Sequence, residues 1–187
     1  MAAKKITTPL TDDVVRDLRA GDAVEISGVI YQARDAAHKR LVALIQAGKQ
    51  LPFELQGAVV YYMGPSPAKP GNVIGSAGPT TSGRMDAYAP LLIEHGLKGM
   101  VGKGLRTQEV KDAMHACTAV YFAATGGAGA LLAKSIVGNE VIAWPELGAE
   151  AVARLEVKDF PAIVVNDCHG GDLYEEGRAR YAKAEAD

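Results

Sequence analysis

Cysteine is scarce in this chain: only Cys117 and Cys168 occur among 187 residues, far apart in sequence. One disulfide is arithmetically possible, but free thiols in a reducing compartment are the expectation. Two thiols also fall short of the three or four thiolates that hold an iron–sulfur cluster. Aromatic residues make up 6% of the chain, with a single tryptophan. No apolar run reaches the roughly 18 residues of a membrane span. The start, Met1-Ala2-Ala3-Lys4-Lys5, lacks the apolar segment of a secretion signal. A cytoplasmic protein without membrane attachment is expected. A net charge of −2 offers no basic surface for nucleic acid. There are no internal repeats and no low-complexity blocks.

What is present is enough aliphatic residue for one sizeable core. A single domain over residues 1–187 is expected, with a polar N-terminal segment over about residues 1–10 and a solvated tail over about residues 175–187. Thr11 suits the cap of a short helix over 12–18, ended by Gly21. Residues 23–31 alternate: Val24, Ile26, Gly28 and Ile30 share one face and Glu25 and Ser27 the other, as in a half-buried strand. Further strands are predicted over 58–62, 97–101, 119–124, 140–144, 152–157 and 162–165. The last two are separated by Lys158-Asp159-Phe160-Pro161, and Val73-Ile74-Gly75 reads as a strand end. Helices are expected behind Asp35 as cap, over 85–95, behind Thr107, and over 131–136. Pro90 forces the second of these to kink or to start late. The proline-rich stretch 64–71 is a loop. Strands and helices interleave, which gives an α/β class.

The stretch Gly78-Pro79-Thr80-Thr81-Ser82-Gly83-Arg84-Met85-Asp86 stands out. Two glycines and a proline fix an unusual turn, and three hydroxyls and an arginine crowd onto it. Backbone N–H groups at such a junction favour anions, and an arginine grips a carboxylate through two parallel hydrogen bonds. Thr81 or Ser82 as an ordinary helix cap beside an exposed arginine accounts for the stretch equally well. Arg34 and His38 are four apart and share a side of their helix. Asp35 and Lys39 suit an exposed ion pair, and a solvated first turn is the commoner arrangement there. Gly102-Lys103-Gly104 is a tight turn whose glycine spacing fails the phosphate-loop pattern. Thr125-Gly126-Gly127-Ala128-Gly129-Ala130 follows a strand, but close packing explains its glycines better than a dinucleotide site. Asn166-Asp167-Cys168-His169-Gly170-Gly171-Asp172 carries ligand-type residues that are consecutive and cannot all face one ion, so a turn is expected.

Arg34, Thr80, Thr81, Arg84 and Lys103 make a set of cations and hydroxyls suited to a small dicarboxylate: cations neutralise the carboxylates, and a positioned hydroxyl sits near the reacting carbon. Five pieces of sequence carry a resemblance. They are Ala33-Arg34-Asp35-Ala36-Ala37-His38, the 78–86 stretch, Gly99-Met100-Val101-Gly102-Lys103-Gly104, Ala124-Thr125-Gly126-Gly127-Ala128, and Pro145-Glu146-Leu147-Gly148 with Glu156-Val157-Lys158-Asp159-Phe160-Pro161. In this order, over about residues 10–175, the chain resembles the C-terminal-type, or β, subunit of the class I fumarase and tartrate dehydratase family. Residues 166–172 depart from the family's simpler Asp-x-x-Gly turn.

The resemblance implies a swivelling β/β/α three-layer domain and a hydro-lyase that reversibly adds water to fumarate to give L-malate. It also implies a [4Fe–4S] cluster carried on three cysteines of a partner α subunit, no metal ligand in this chain, and a heterotetramer of two α and two β subunits. By the same resemblance Thr80 matches the hydroxyl proposed to take the substrate's proton, and Arg34, Arg84 and Lys103 match residues that hold its carboxylates. Asp35 and His38 are expected to orient Arg34, and Thr81 to flank Thr80; these roles have no support from the family. The intact 79–86 run favours fumarate over tartrate or a methyl-substituted malate. A free-standing small-anion-binding domain without catalysis is the alternative from another class.

Overall fold

In the computed structural model, which describes residues 2–182, apolar alternation is realised as seven strands. They are β1 (Lys4–Thr7), β2 (Ala23–Gln32), β3 (Val59–Tyr61), β4 (Gly99–Gly102), β5 (Val120–Ala123), β6 (Ile136–Ala143) and β7 (Val152–Asn166). The sheet order is β1-β2-β3-β4-β5-β7-β6, and an additional pairing joins β2 to β7. Strands β1 to β5 run parallel to their neighbours, whereas β7 is antiparallel to β2, β5 and β6. Because β7 pairs with both β2 and β5, strands β2, β3, β4, β5 and β7 close into a small barrel.

The helices are α1 (Asp12–Asp17), α2 (Asp35–Gln46), α3 (Ala89–Glu94), α4 (Gln108–Cys117), α5 (Gly129–Leu132) and α6 (Leu173–Tyr181). Strand periodicity divides the core in two. Val59, Tyr61 and Met63 join Ile26, Ile30, Phe122 and Phe160 in one cluster. Val60 and Tyr62 turn the other way, into a layer with Leu41 of α2, Leu92 of α3 and Val110 and Met114 of α4. No helix among the described residues is long and apolar enough to cross a membrane.

Several expected elements hold. Thr11 caps α1 through its side chain, which accepts the Val14 N–H. Pro90 lies in the first turn of α3, where a missing N–H costs nothing, so that helix starts late. Other expectations change. Part of the polar start forms β1, a parallel edge strand on β2. Residues 73–75 are loop, with Gly75 packed so closely on Ser66 and Pro67 that no side chain fits there. Residues 158–161 do not break a strand: β7 is continuous and carries a bulge where Asp159 is left-handed and its N–H donates to Ser27 Oγ. The bulge admits the exposed Pro161 opposite Glu25. In the tail, Asp172 caps α6; the remainder, residues 183–187, lies outside the described residues.

Candidate functional site

Because β2 to β5 are parallel, their C-terminal ends lie at one end of the barrel. Arg34 follows β2, Met63 and Gly64 follow β3, Lys103 follows β4, and Thr125 and Gly126 follow β5. The 79–82 segment crosses this rim. Pro79 bridges to Met63, and Thr81 bridges to Lys103. The Thr80 N–H donates to Tyr62 O (2.8 Å), and the Ser82 N–H to Lys103 O (2.9 Å). Thr80 and Thr81 are thereby fixed by backbone bonds over the ends of β3 and β4. Glycine is required next to Arg34. A Cβ on Gly64 would lie 2.8 Å from Arg34 Nη1 and 3.0 Å from Ala149 O, whereas one on Gly126 would make only an ordinary 3.7 Å contact with Lys103 Cδ.

Arg34 is held by two carboxylates. Glu150 Oε1 is 3.1 Å from its Nη2, and Asp35 Oδ1 is 3.7 Å away. Its Nε is buried without a partner. The other Glu150 oxygen accepts the Ala36 N–H at 3.1 Å. Glu150 therefore serves the start of α2, where Asp35 was the expected cap; Asp35 is instead the first helical residue, and Arg34 occupies the cap position by backbone alone. Glu150 ends the segment Pro145–Glu150, two short 3-10 turns joined across a kink at the left-handed Gly148, which Gln32 Nε2 anchors by donating to Ala149 O and Ala151 O.

His38 is fully buried, so the solvated first turn does not form. No Asp35–Lys39 ion pair occurs among the described residues. The His38 Nδ1–H donates to Arg34 O (2.9 Å), and the ring meets Tyr62 edge-on. Burial pushes its pKa down to about 4, helped by the Arg106 guanidinium and opposed by the Arg34 carbonyl and Asp35. A neutral His38 thus steadies the Arg34 backbone, not its guanidinium.

Arg84 rides on a one-turn 3-10 helix, Ser82–Met85, for which Thr81 is the cap position without a side-chain bond. Arg84 and Lys103 are both exposed, and neither has an ion-pair partner among the described residues. The structure therefore gathers Arg34, Thr80, Thr81 and Lys103 on one rim. It puts Arg84 on the adjoining turn, with no hydrogen bond to the others. Glu150 and Asp35 balance the Arg34 charge, so the cations left to meet an anion in solvent are Lys103 on the rim and Arg84 on the adjoining turn.

Sequence reasoning missed Glu150, the partner of Arg34. Only the Pro145-Glu146-Leu147-Gly148 run hinted that the Glu150 turn mattered. The expected turn at 166–172 is present: the Asp167 carboxylate accepts N–H groups of Ala20, His169 and Gly171. After β5, Gly129 serves packing against Ser76 and Gly78, Gly127 takes a left-handed turn, and α5 has only four residues. Both cysteines are free, and no group of three His, Cys, Asp or Glu among the described residues could hold a metal ion.

The sequence profile of the family described as "Fumarase C-terminus" matches residues 2–177. The anaerobic class I fumarate hydratase of Escherichia coli (strain K12) is 44% identical over 155 residues, covering 82% of this chain and 28% of that protein. Fumarate hydratase 2 of Leishmania major is 41% identical over 156 residues, with the same coverage. The chain thus spans a little over a quarter of the length of these relatives. A putative L(+)-tartrate dehydratase subunit beta of Methanocaldococcus jannaschii is 40% identical over 173 residues and is covered to 89% in both chains. On this evidence the chain belongs to the fumarase C-terminus family.

Proposed function

We propose that this chain is the β part of a two-part hydro-lyase that reversibly adds water to fumarate, giving L-malate. The observation that best supports this reading is the gathering of Arg34, Thr80 and Lys103 at the ends of adjacent parallel strands, with Arg84 on the next turn. In this reading Arg34, Arg84 and Lys103 hold the two substrate carboxylates. The Thr80 hydroxyl faces the carbon beside one of them. A neutral alcohol is a weak base, so Thr80 either relays a proton or is activated by the cations around it. The Thr81–Lys103 bridge keeps an ammonium-bearing residue next to Thr80 for that purpose.

The relatives that are fumarate hydratases are far longer than this chain, which leaves room for a separate partner. That α partner would carry a [4Fe–4S] cluster, because two cysteines here are too few for its three thiolates. The cluster, when bound, supplies a Lewis acid to the substrate's carboxylate and hydroxyl. The family's swivelling β/β/α description fits a barrel-and-helix body that closes over the partner as a unit, in an assembly of two α and two β chains. Free thiols suit a reducing, cytoplasmic setting. A second reading keeps the chemistry and changes the substrate: the relative of matching length is named for L(+)-tartrate.

Co-expression with a cluster-bearing α-type chain under anaerobic conditions, followed by the absorbance of fumarate, tests the proposal. The pair should turn over fumarate and this chain alone should not. Turnover by the purified chain would overturn the two-part reading. A faster rate on L-tartrate would select the second substrate, and no turnover of either would overturn the hydro-lyase.

A further inference from the structure

We propose that Arg106, whose side chain is buried beneath the rim, is a positioning residue that holds all four segments bearing the site in register. The inference rests on the site reading above. The Arg106 side chain is 0% exposed, and its Nε donates to Asp86 Oδ1 at 2.7 Å. Asp86 closes the Ser82–Met85 turn that carries Arg84, and its other oxygen accepts the Thr107 N–H at 2.7 Å. The guanidinium is stacked between two tyrosines, with Cζ 5.4 Å from the Tyr62 ring centre and 4.9 Å from that of Tyr121.

Each tyrosine carries the connection onward. Tyr62 O accepts the Thr80 N–H, and its ring meets His38, whose Nδ1–H holds Arg34 O. The Tyr121 hydroxyl lies 2.9 Å from Ser82 Oγ and donates to Gly104 O at 2.9 Å, which ties the Arg84 turn to the Lys103 turn. One guanidinium is thus linked, through at most two intervening residues, to Arg34, Thr80, Arg84 and Lys103 or the turns that carry them.

Two features favour a functional over a purely structural reason for this cluster. An Arg–Asp pair buried this deeply adds little stability compared with apolar residues of the same volume, but it fixes a unique geometry. Moreover, His38 Nε2, buried against the Tyr62 ring, has no hydrogen-bond partner among the described residues. Such a group is costly to retain. Burial also raises the Tyr62 pKa, so the hydroxyl stays neutral beside the cation.

Two variants of the assembled enzyme test the role. Arg106→Lys keeps the charge but loses the planar fork and the stacking. Tyr121→Phe keeps volume and stacking and loses only the hydroxyl bridge, so it remains informative if Arg106→Lys does not fold. Misplacement of binding groups by about 1 Å costs about 100-fold in rate. Arg106→Lys should therefore lower kcat/KM by about that factor and Tyr121→Phe by about tenfold, with KM for fumarate rising in both. A structural role alone would lower Tm and leave the KM of the folded enzyme unchanged. If Arg84→Ala lowers kcat/KM by about 100-fold while both variants keep wild-type KM and kcat, the positioning role is overturned and the site reading survives. If Arg84→Ala also leaves the kinetics unchanged, both fall together.

Discussion

Gly102 lies directly beneath Ser82, so closely that a methyl group on it would overlap the Ser82 hydroxyl and press on the Tyr62 ring. The last residue of β4 must therefore be glycine for steric reasons; a left-handed backbone is not involved. Gly102→Ala should displace Ser82, break its contact with Tyr121 and tilt the turn that carries Arg84. Forcing one methyl group into a packed site costs about 1–3 kcal/mol. Urea unfolding should show a lower midpoint at unchanged m-value, and the assembled enzyme should lose turnover more steeply than stability. Wild-type values for both would show that the rim relaxes around the methyl group.

Glu150 serves Arg34 and the Ala36 N–H together, and the two tasks can be separated. Glu150→Gln keeps an acceptor for the N–H and removes the charge. Glu150→Ala removes both. The ion pair is partly exposed, so the helix-start bond should dominate, at about 1 kcal/mol. The alanine variant should lose about 1–2 kcal/mol by chemical unfolding, and the glutamine variant less than half of that. Equal losses would assign the effect to the charge.

Much of this arrangement was legible in the sequence where interactions are local. Thr11, the alternation of 23–31 and Pro90 each act within a few residues, and each element formed as expected. The 78–86 stretch was conspicuous because glycine, proline and hydroxyls crowd into it. What was not legible depends on partners far along the chain. Glu150 meets Arg34 only because β7 brings the Pro145–Glu150 turn back to β2. His38 lies inside because Tyr62 and Tyr88 cover it, which helix periodicity alone does not reveal. Pro161 marked a strand end by rule, yet the neighbouring bulge kept β7 whole.

Arg84 is exposed and free of counter-ions among the described residues, so its removal should cost almost no stability. Losing a charged hydrogen bond to substrate is worth about 3 kcal/mol. Arg84→Ala in the assembled enzyme should therefore lower kcat/KM by about 100-fold while Tm stays within about 1 °C of wild type. A variant as active as wild type would remove Arg84 from the site, and a large fall in Tm would assign it a structural role that its exposure does not suggest.

His38 gives the fold a pH dependence of known sign. Its pKa is about 4 in the folded chain, against the ordinary value near 6.5, because burial disfavours the imidazolium. Between those values the unfolded chain binds more protons than the folded one, so stability rises with pH across the window. The contribution is complete above pH about 6.5 and is lost as pH falls towards 4, for a total of about 3 kcal/mol. Buried carboxylates such as Asp167 also titrate at acid pH, so the comparison must be a difference between proteins. Urea midpoints at pH 7 and pH 4.5 for wild type and His38→Gln isolate it. The variant should start less stable at pH 7, since its side chain replaces a packed ring that donates to Arg34 O. It should then lose about 2 kcal/mol less than wild type on acidification. Parallel losses in the two proteins would mean that His38 is protonated in the folded chain, and Arg34 would then be held beside a cation instead of a neutral ring.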